Sequence, residues 1–425
     1  MNAGWGRLCA WSALVLTMLL SACTAGAGPA QACRDGWHVL MGPASTHQSS
    51  ELFGVSVVSA SDVWAVGVAR PDGGSARTLI ERWQGRRWRT LPSQDPSPGD
   101  SFLNAVVALS PSDAWAVGLS RTPAGSARTL IQHWGGRRWG IIASPNSGSG
   151  DNALVAVAAA SEHDIWAVGY HDSGSVYRSL VEHWDGNRWR IVALPLHSGG
   201  GDGLNAVDVV APGLVWAVGG SARSRGPSQP LVLRLIGHRW SSVPAPASLR
   251  SATLNGVAAW GGKAAWIVGA MRSGGGDRAF GLQADGRDWS AIPVDLSAAL
   301  SVDLNAIWAP SPDRVWAVGS SFDGRWYRPL VEHGVRGTWS RTPVPVIRGY
   351  DARLLAVSGS ADGELWAVGS AERSGGSQRV LILHRCAAQR SPRTRRDQPD
   401  AIGASFFWWL VPASSASTRM ASLGR

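Results

Sequence analysis

The sequence predicts an all-β fold made of seven copies of one unit, and three observations lead to this prediction. The 425 residues include 52 Gly and 24 Pro but only 16% charged residues, a composition typical of short strands joined by turns. A Trp-Ala-Val-Gly motif or a close variant recurs every 50 or 51 residues, and the 24 Trp exclude a wholly disordered chain. Within each repeat, four short apolar or alternating segments are separated by turn residues.

We interpret each repeat as four antiparallel strands, A to D. In the second repeat, 103–106 gives strand A, 115–118 strand B, 129–134 strand C, and Trp139 opens strand D. Four short strands repeated at this period are the signature of a β-propeller blade. The motif Trp residues of the seven blades are Trp64, Trp115, Trp166, Trp216, Trp266, Trp316 and Trp366.

The strand missing from the seventh unit is found near the N-terminus. A second Trp follows the motif Trp by 23 or 24 residues in six units, whereas Gln389 and Arg390 stand at the seventh place. Trp37 precedes Trp88 by one repeat of 51 residues. We therefore predict that the N-terminal strand completes the last blade, which closes the ring and removes its free edges.

The repeats resemble Kelch-type repeats and the seven-bladed propellers of secreted bacterial proteins. The resemblance rests on the Gly doublet of Trp216-Ala-Val-Gly219-Gly220 and on Trp pairs such as Trp184 and Trp189, and it covers residues 33–386. The other repeats keep only the first Gly, and the Trp pair is closer together than in Kelch proteins. The resemblance implies a broad, rigid ring.

The first 32 residues read as an export signal and a linker. Arg7 precedes the apolar stretch 8–20, which is short for a membrane span, and 20–23 (Leu-Ser-Ala-Cys) resembles a lipoprotein lipobox. We predict a signal peptide at 1–22, lipidation of Cys23, a linker at 23–32, the propeller at 33–386, and a basic disordered tail at 387–425. This places the protein outside the cytoplasm, anchored to the bacterial membrane by lipid. Ordinary cleavage near Ala32 is the alternative, and it would release a fully secreted protein.

Two cysteines flank the predicted propeller. Cys33 lies four residues before Trp37, and Cys386 lies twenty residues after Trp366, so both map to the same turn between strands C and D. Because exported proteins enter an oxidising compartment, we predict a Cys33–Cys386 disulfide that locks the closing blade.

The B–C and D–A loops are long and should emerge on one face of the ring, which we call the long-loop face. A ring of basic residues is predicted there, either to bind an anionic ligand or partner, or to brace the loops by pairing with recurrent Asp residues. Trp326 and Tyr327 form an aromatic cluster in one such loop. The basic positions are Arg77, Arg128, Arg178, Arg278, Arg328 and Arg379.

The sequence indicates the function of the protein less clearly than its fold. No Walker loop, His-Glu-x-x-His or Gly-x-Ser-x-Gly motif occurs, and the recurrent His residues belong to different blades, so neither metal nor cofactor is predicted. Part of the +10 net charge lies in the leader and tail, so no nucleic-acid partner is predicted. We predict a monomeric, non-catalytic, membrane-anchored propeller that binds an envelope protein through its long-loop face. The alternative is a carbohydrate-binding or carbohydrate-active propeller whose partner is a glycan.

Overall fold

Seven antiparallel sheets of four strands each form the blades of a propeller in the computed structural model. The structure describes residues 36–41, 49–96, 98–195, 200–222, 228–285, 288–292, 294, 299–373 and 376–387. In these ranges, the regular structure besides the strands is one 3-10 helix, Ala247–Leu249. The prediction of an all-β, seven-bladed propeller is confirmed.

The strands follow the chain blade by blade, and β1 (Trp37–Met41) stands alone at the start. Blade 1 contains β2 (Ser49–Ser59), β3 (Asp62–Arg70), β4 (Arg77–Trp83) and β5 (Trp88–Leu91). Blade 2 contains β6 (Ser101–Ser110), β7 (Asp113–Arg121), β8 (Ala127–Trp134) and β9 (Trp139–Ile142). Blade 3 contains β10 (Asn152–Ser161), β11 (Asp164–Asp172), β12 (Tyr177–Trp184) and β13 (Trp189–Ile191). Blade 4 contains β14 (Gly201–Ala211), β15 (Leu214–Ala222), β16 (Gln229–Ile236) and β17 (Arg239–Ser242).

The remaining blades repeat this order. Blade 5 contains β18 (Ala252–Trp260), β19 (Ala264–Ser273), β20 (Gly276–Asp285) and β21 (Trp289–Ile292). Blade 6 contains β22 (Ser301–Ser311), β23 (Arg314–Phe322), β24 (Tyr327–Val335) and β25 (Thr338–Arg341). Blade 7 contains β26 (Tyr350–Gly359), β27 (Leu365–Arg373) and β28 (Gln378–Arg385), and β1 is its fourth strand. Strand A is longer than the sequence pattern indicated, because polar residues at both of its ends also join the ladder.

The ring closes through the chain's two ends. Trp37 lies opposite Arg385, and Met41 lies opposite Leu381, in an antiparallel ladder between β1 and β28. The Trp37 side chain is buried and packs edge-on against Trp316 of blade 6, with ring centroids 6.0 Å apart. Closure of the last blade by the N-terminal strand is therefore confirmed.

The repeated Trp residues bind each blade to the next. The motif Trp of one blade packs against the strand D Trp of the following blade, as in Trp64 with Trp139 at 5.3 Å and Trp115 with Trp189 at 5.8 Å. Such aromatic pairs contribute about 0.5–1.5 kcal/mol beyond the area that they bury. The Trp residues therefore recur once per blade because each pair forms part of the core between two neighbouring blades. The other pairs of this kind are Trp166–Trp240, Trp266–Trp339, Trp316–Trp37 and Trp366–Trp88.

The Gly of the Trp-Ala-Val-Gly motif is required for steric reasons. A Cβ on Gly118 would lie 1.9 Å from the carbonyl oxygen of Phe102 on the neighbouring strand A. The same clash, at 1.9–2.1 Å, would occur at all seven motif glycines. Strands A and B approach so closely at this point that only Gly fits, which explains why each repeat keeps it.

Strand A carries a bulge at one equivalent place in every blade, next to this Gly. Asn occupies the bulge in blades 2, 4, 5 and 6, and its amide donates a hydrogen bond to a Leu carbonyl on strand A of the next blade. Asn104 donates to Leu154 at 2.7 Å, and Asn305 donates to Leu354 at 2.9 Å. These Asn residues therefore tie the inner strands together.

Across the described ranges, no helix has the length and apolar character that crossing a membrane requires.

Candidate functional site

The two faces of the ring differ as the sequence predicts. The A–B connections are short, as between Ser59 and Asp62, while the B–C and D–A loops are longer and emerge together. The predicted arginines lie at the start of strand C, on the long-loop face. The candidate binding residues on the long-loop face are therefore those at the starts of strands A and C and at the end of strand B.

Most of the predicted arginines hold loop backbone. The guanidinium of Arg128 donates to the carbonyls of Gly148 at 3.0 Å and Ser149 at 3.1 Å. Arg178 donates to Gly200 at 2.6 Å and lies 3.6 Å from Asp202. Arg77 reaches the loop carbonyls at 98 and 99 in the same way. Among the described contacts, Arg278 and Arg379 make no bond of this kind, and both side chains are exposed.

The recurrent Asp residues brace the same loops from the other side. A carboxylate at the start of strand A accepts a backbone hydrogen bond from the start of strand C in the preceding blade. Asp100 accepts from Ala76 at 2.7 Å, Asp151 from Ala127 at 2.7 Å, and Asp351 from Tyr327 at 2.7 Å. The Arg and Asp positions thus brace the D–A loops that follow blades 1, 2, 3 and 6, mostly through backbone groups rather than through each other.

Loss of one such arginine should be visible as loss of stability. We expect Arg128→Ala to lower the free energy of unfolding by about 1 kcal/mol, because the charge-assisted hydrogen bonds from its guanidinium to the loop carbonyls disappear. Arg278→Ala is the matched control and should leave the melting temperature unchanged. Thermal unfolding of both variants checks this, and equal melting temperatures for all three proteins would contradict the bracing role.

The aromatic cluster at Trp326 is held between cations. The guanidinium carbons of Arg325 and Arg328 lie 5.5 and 5.9 Å from the Trp326 ring centroid. Arg328 also pairs with Asp323 at 3.2 Å and donates to the carbonyl of Ile347. Two exposed apolar side chains flank this loop. Leu300, 63% exposed, lies beside Gly324, and Val346, 70% exposed, adjoins Ile347.

We call Leu300, Trp326 and Val346 the blade 6 patch. Trp and Arg dominate the binding energy of many protein interfaces, especially where apolar neighbours exclude water. Together with the neighbouring Arg325 and Arg328, the patch combines these residue types on the long-loop face. The sequence singled out Trp326 and Tyr327 but gave no sign that Leu300 and Val346 join them, because they come from two different D–A loops.

A charged cluster lies at the inner end of the same face. The Arg353 guanidinium stacks 3.6 Å from the centroid of the Tyr327 ring. Burial raises the pKa of Glu51 and of Asp303. The positive charge of Arg353 partly offsets this by lowering the pKa of both carboxyls. Ser370 donates to Glu51 at 2.7 Å.

A cavity of about 580 Å³ opens between blades 3 and 4 on the long-loop face. Tyr170 and Tyr177 form one wall, with their rings in T-shaped contact at 5.1 Å. Burial is the main cause that raises the pKa of Tyr170. The opposite wall includes the backbone of Gly203 and the polar side chains of Asn205 and Thr253. The sequence analysis did not identify this cavity.

The opposite face carries a recurrent stack that the sequence analysis also missed. In blade 2, His133 stacks on Trp115 at 4.1 Å and bonds to Asp113 at 2.8 Å. The same arrangement of an acid, a base and a Trp recurs in three other blades, and the signal is an acid two residues before the motif Trp. These sets are Asp62–Arg82–Trp64, Asp164–His183–Trp166 and Glu364–His384–Trp366.

The recurrent His residues are explained by these stacks. His333 stacks on Trp316 at 3.9 Å, but its blade carries Arg314 where the others carry an acid. Burial, and then the charge of Arg314, lowers the pKa of His333.

Among the residues that the structure describes, one group of possible metal-donor atoms lies within 4.8 Å of one another: Glu364, His384 and Cys386. Glu364 and His384 are hydrogen-bonded to each other at 2.5 Å, and the Cys386 sulfur is already engaged. No metal site is assigned to this group.

The comparisons with known proteins establish the fold alone. No protein family matches the sequence, and no curated protein matches it. Among solved structures, the chain is similar to YCF48 bound to D1 peptide, with 14% identity, a TM-score of 0.52, and coverage of 83% of this chain and 97% of that one. It is also similar to a PL25 ulvan lyase, a polysaccharide lyase bound to a -[GlcA(1-4)Rha3S]- chain, with 8% identity, a TM-score of 0.52, and coverage of 82% and 94%. Both likenesses place this chain among the β-propellers.

Proposed function

We propose that the protein is a non-catalytic, extracytoplasmic binding propeller that holds an envelope protein on its long-loop face. The observation that carries the proposal is the blade 6 patch. Its two apolar side chains are 63% and 70% exposed and flank a Trp that lies against two arginines. Exposed apolar groups beside Trp and Arg are typical of the centre of a protein interface.

The proposal includes a lipid anchor at Cys23 and a Cys33–Cys386 disulfide, and both Cys23 and Cys33 lie outside the described residues. The pairing of Trp37 with Arg385 supports the disulfide, because it brings the chain after Cys33 beside the residue that precedes Cys386. A monomeric ring anchored in this way stays close to the membrane, with full secretion as the alternative. The carbohydrate-active alternative depends on the charged cluster at Glu51, Asp303 and Arg353.

Charge placed on the blade 6 patch tests the proposal. We expect Leu300→Asp and Val346→Asp each to weaken partner binding by about tenfold or more, because each buries an unpaired carboxylate in the interface. Immobilised wild-type and variant proteins would be exposed to envelope extract, and the retained proteins quantified by mass spectrometry.

Ile236→Asp is the matched control, since Ile236 is 52% exposed but lies at a C–D turn on the opposite face. A defined set of proteins kept by wild type and by this control, but lost by both patch variants, supports the proposal. Equal retention by all four proteins, or loss only in the control, contradicts it. Melting temperatures show whether each variant is folded.

A further inference from the structure

A difference between equivalent positions in the seven blades creates the cavity between blades 3 and 4. The residue before the buried Leu of strand A faces the preceding blade on the long-loop face of the ring. In blade 4 this residue is Gly203, and a Cβ there would meet the Cβ of Tyr170, 3.6 Å away, and no other atom within 4 Å. The equivalent residues are Glu51, Phe102, Ala153, Thr253, Asp303 and Arg353.

Other blade interfaces show how this space is otherwise occupied. Phe102 fills it in blade 2, where the Arg70 guanidinium lies 5.4 Å from its ring centroid. Arg353 fills it in blade 7 and stacks on Tyr327. The cavity is therefore a local departure from the repeat, and the bracing of the ring does not require it.

The walls combine aromatic rings with neutral hydrogen-bonding groups. Tyr177 is 50% exposed and presents its ring to the opening beside Tyr170. Asn205, Ser228 and Thr253 supply amide and hydroxyl groups to the lining. One N–H of Asn205 already donates to the Leu254 carbonyl at 3.0 Å, and the Ser228 hydroxyl donates to the Ser221 carbonyl at 3.4 Å. A ligand would therefore use the second amide N–H, the amide oxygen and the hydroxyl lone pairs. The volume of about 580 Å³ lies within the range of about 300–1,000 Å³ that is typical of small-molecule sites.

The cavity brings little net charge to a ligand. Asp202 is its ionisable carboxylate among the described lining residues, and this side chain is already engaged. It accepts a hydrogen bond from the Ser179 backbone at 2.6 Å and lies 3.6 Å from the Arg178 guanidinium. A charged ligand would lose its hydration without gaining an unpaired counter-charge, so a neutral ligand is favoured.

We propose that this cavity is a binding site for a neutral saccharide. The C–H faces of a sugar ring pack on aromatic side chains, while its hydroxyls need neutral donors and acceptors around the rim, and the two tyrosines and the Asn205, Ser228 and Thr253 groups provide both. The site is separate from the blade 6 patch, and it does not rest on the proposed protein partner.

The test is to fill the gap with Phe, the residue that occupies the equivalent position in blade 2. The full-length protein would be screened against an array of neutral oligosaccharides that includes cellotriose, maltotriose and chitotriose, and binding measured by calorimetry. We expect at least one to bind, Gly203→Phe to abolish that binding, and Gly203→Ala to retain it, since an added Cβ makes only ordinary contact. Tyr177→Leu should weaken binding about tenfold, and Tyr177→Phe much less.

Melting temperatures of the variants should match the wild type, because a Phe already occupies this place in blade 2. Absence of binding across the array, or binding that survives Gly203→Phe, overturns the assignment. Binding of peptides in place of saccharides, with the same sensitivity to Gly203→Phe, overturns it as well. Protein capture through the blade 6 patch should be unaffected by Gly203→Phe, so the two proposals fail separately.

Discussion

Gly118→Ala is expected to lower the free energy of unfolding by roughly 3 kcal/mol or more, as a severe case of overpacking. A Cβ at this position would lie 1.9 Å from the Phe102 carbonyl oxygen and 2.9 Å from the Cα of Leu103, so backbone rather than a flexible side chain must move. The displaced strand A is also the strand whose Asn104 amide bonds to blade 3. The disturbance should therefore reach the neighbouring blade.

Gly140→Ala is the matched control in the same blade, because no atom lies within 4 Å of its added Cβ. This variant should be neutral or slightly stabilised, since Ala reduces the entropy of the unfolded chain. Chemical denaturation of both variants measures the difference. Equal stability of Gly118→Ala and Gly140→Ala would show that strands A and B do not approach as closely as described.

Glu182→Gln is expected to stabilise the protein at alkaline pH and to change it little at acid pH. The Glu182 side chain is fully buried, with Ser144 Oγ 2.8 Å from one carboxyl oxygen, while the other carboxyl oxygen has no hydrogen-bond partner. Burial raises its pKa to about 8. Because the unfolded chain releases this proton near pH 4.5 and the folded protein keeps it until about pH 8, stability is lost as the pH rises through that window.

The loss is on the order of several kcal/mol for one such group, since each unit of pKa difference corresponds to about 1.4 kcal/mol. Blade 2 provides the natural neutral counterpart, because Gln132 occupies the equivalent buried position and bonds to the Gln94 backbone at 3.0 Å. The reverse variant, Gln132→Glu, should add a new loss of stability over the same pH range.

Denaturant unfolding of wild type and both variants at pH 5 and pH 8.5 checks these signs. A stability difference between Glu182→Gln and wild type that is equal at both pH values would contradict a raised pKa. Glu81 is buried in the same manner in blade 1, with its pKa raised to about 8 by burial, and Glu81→Gln offers an independent replicate.

Periodicity is the reason that the fold was predictable from sequence. Seven motif Trp residues at one spacing define the inter-blade core, and the displaced Trp37 identifies the closing strand. Each of these features can be read from the spacing of residues along the sequence. The number of blades, the strands in each blade and the closure at β1 follow directly from them.

The binding surfaces were less predictable, because they arise from departures from the repeat and from contacts between loops. Leu300 and Val346 belong to different D–A loops, which lie on the two sides of the blade 6 loop. Gly203 looks ordinary in a glycine-rich segment, and its meaning appears only when its register with Phe102 is known. The Arg positions recur in the sequence, but their contacts with the loops depend on backbone geometry that the sequence does not show.

The pairing of β1 with β28 also fixes the order in which this protein is completed. The strand made first finds its partner only in the strand made last, because Trp37 and Arg385 are separated by nearly the whole ring. Contacts so distant along the chain form slowly, after the entropy of a long loop has been overcome. During synthesis, β1 therefore remains unpaired until β28 is made, while blades 1 to 6 can assemble from local strands in sequence. The seventh blade is the last to form, and the chain becomes a closed ring only after its final strand has been delivered.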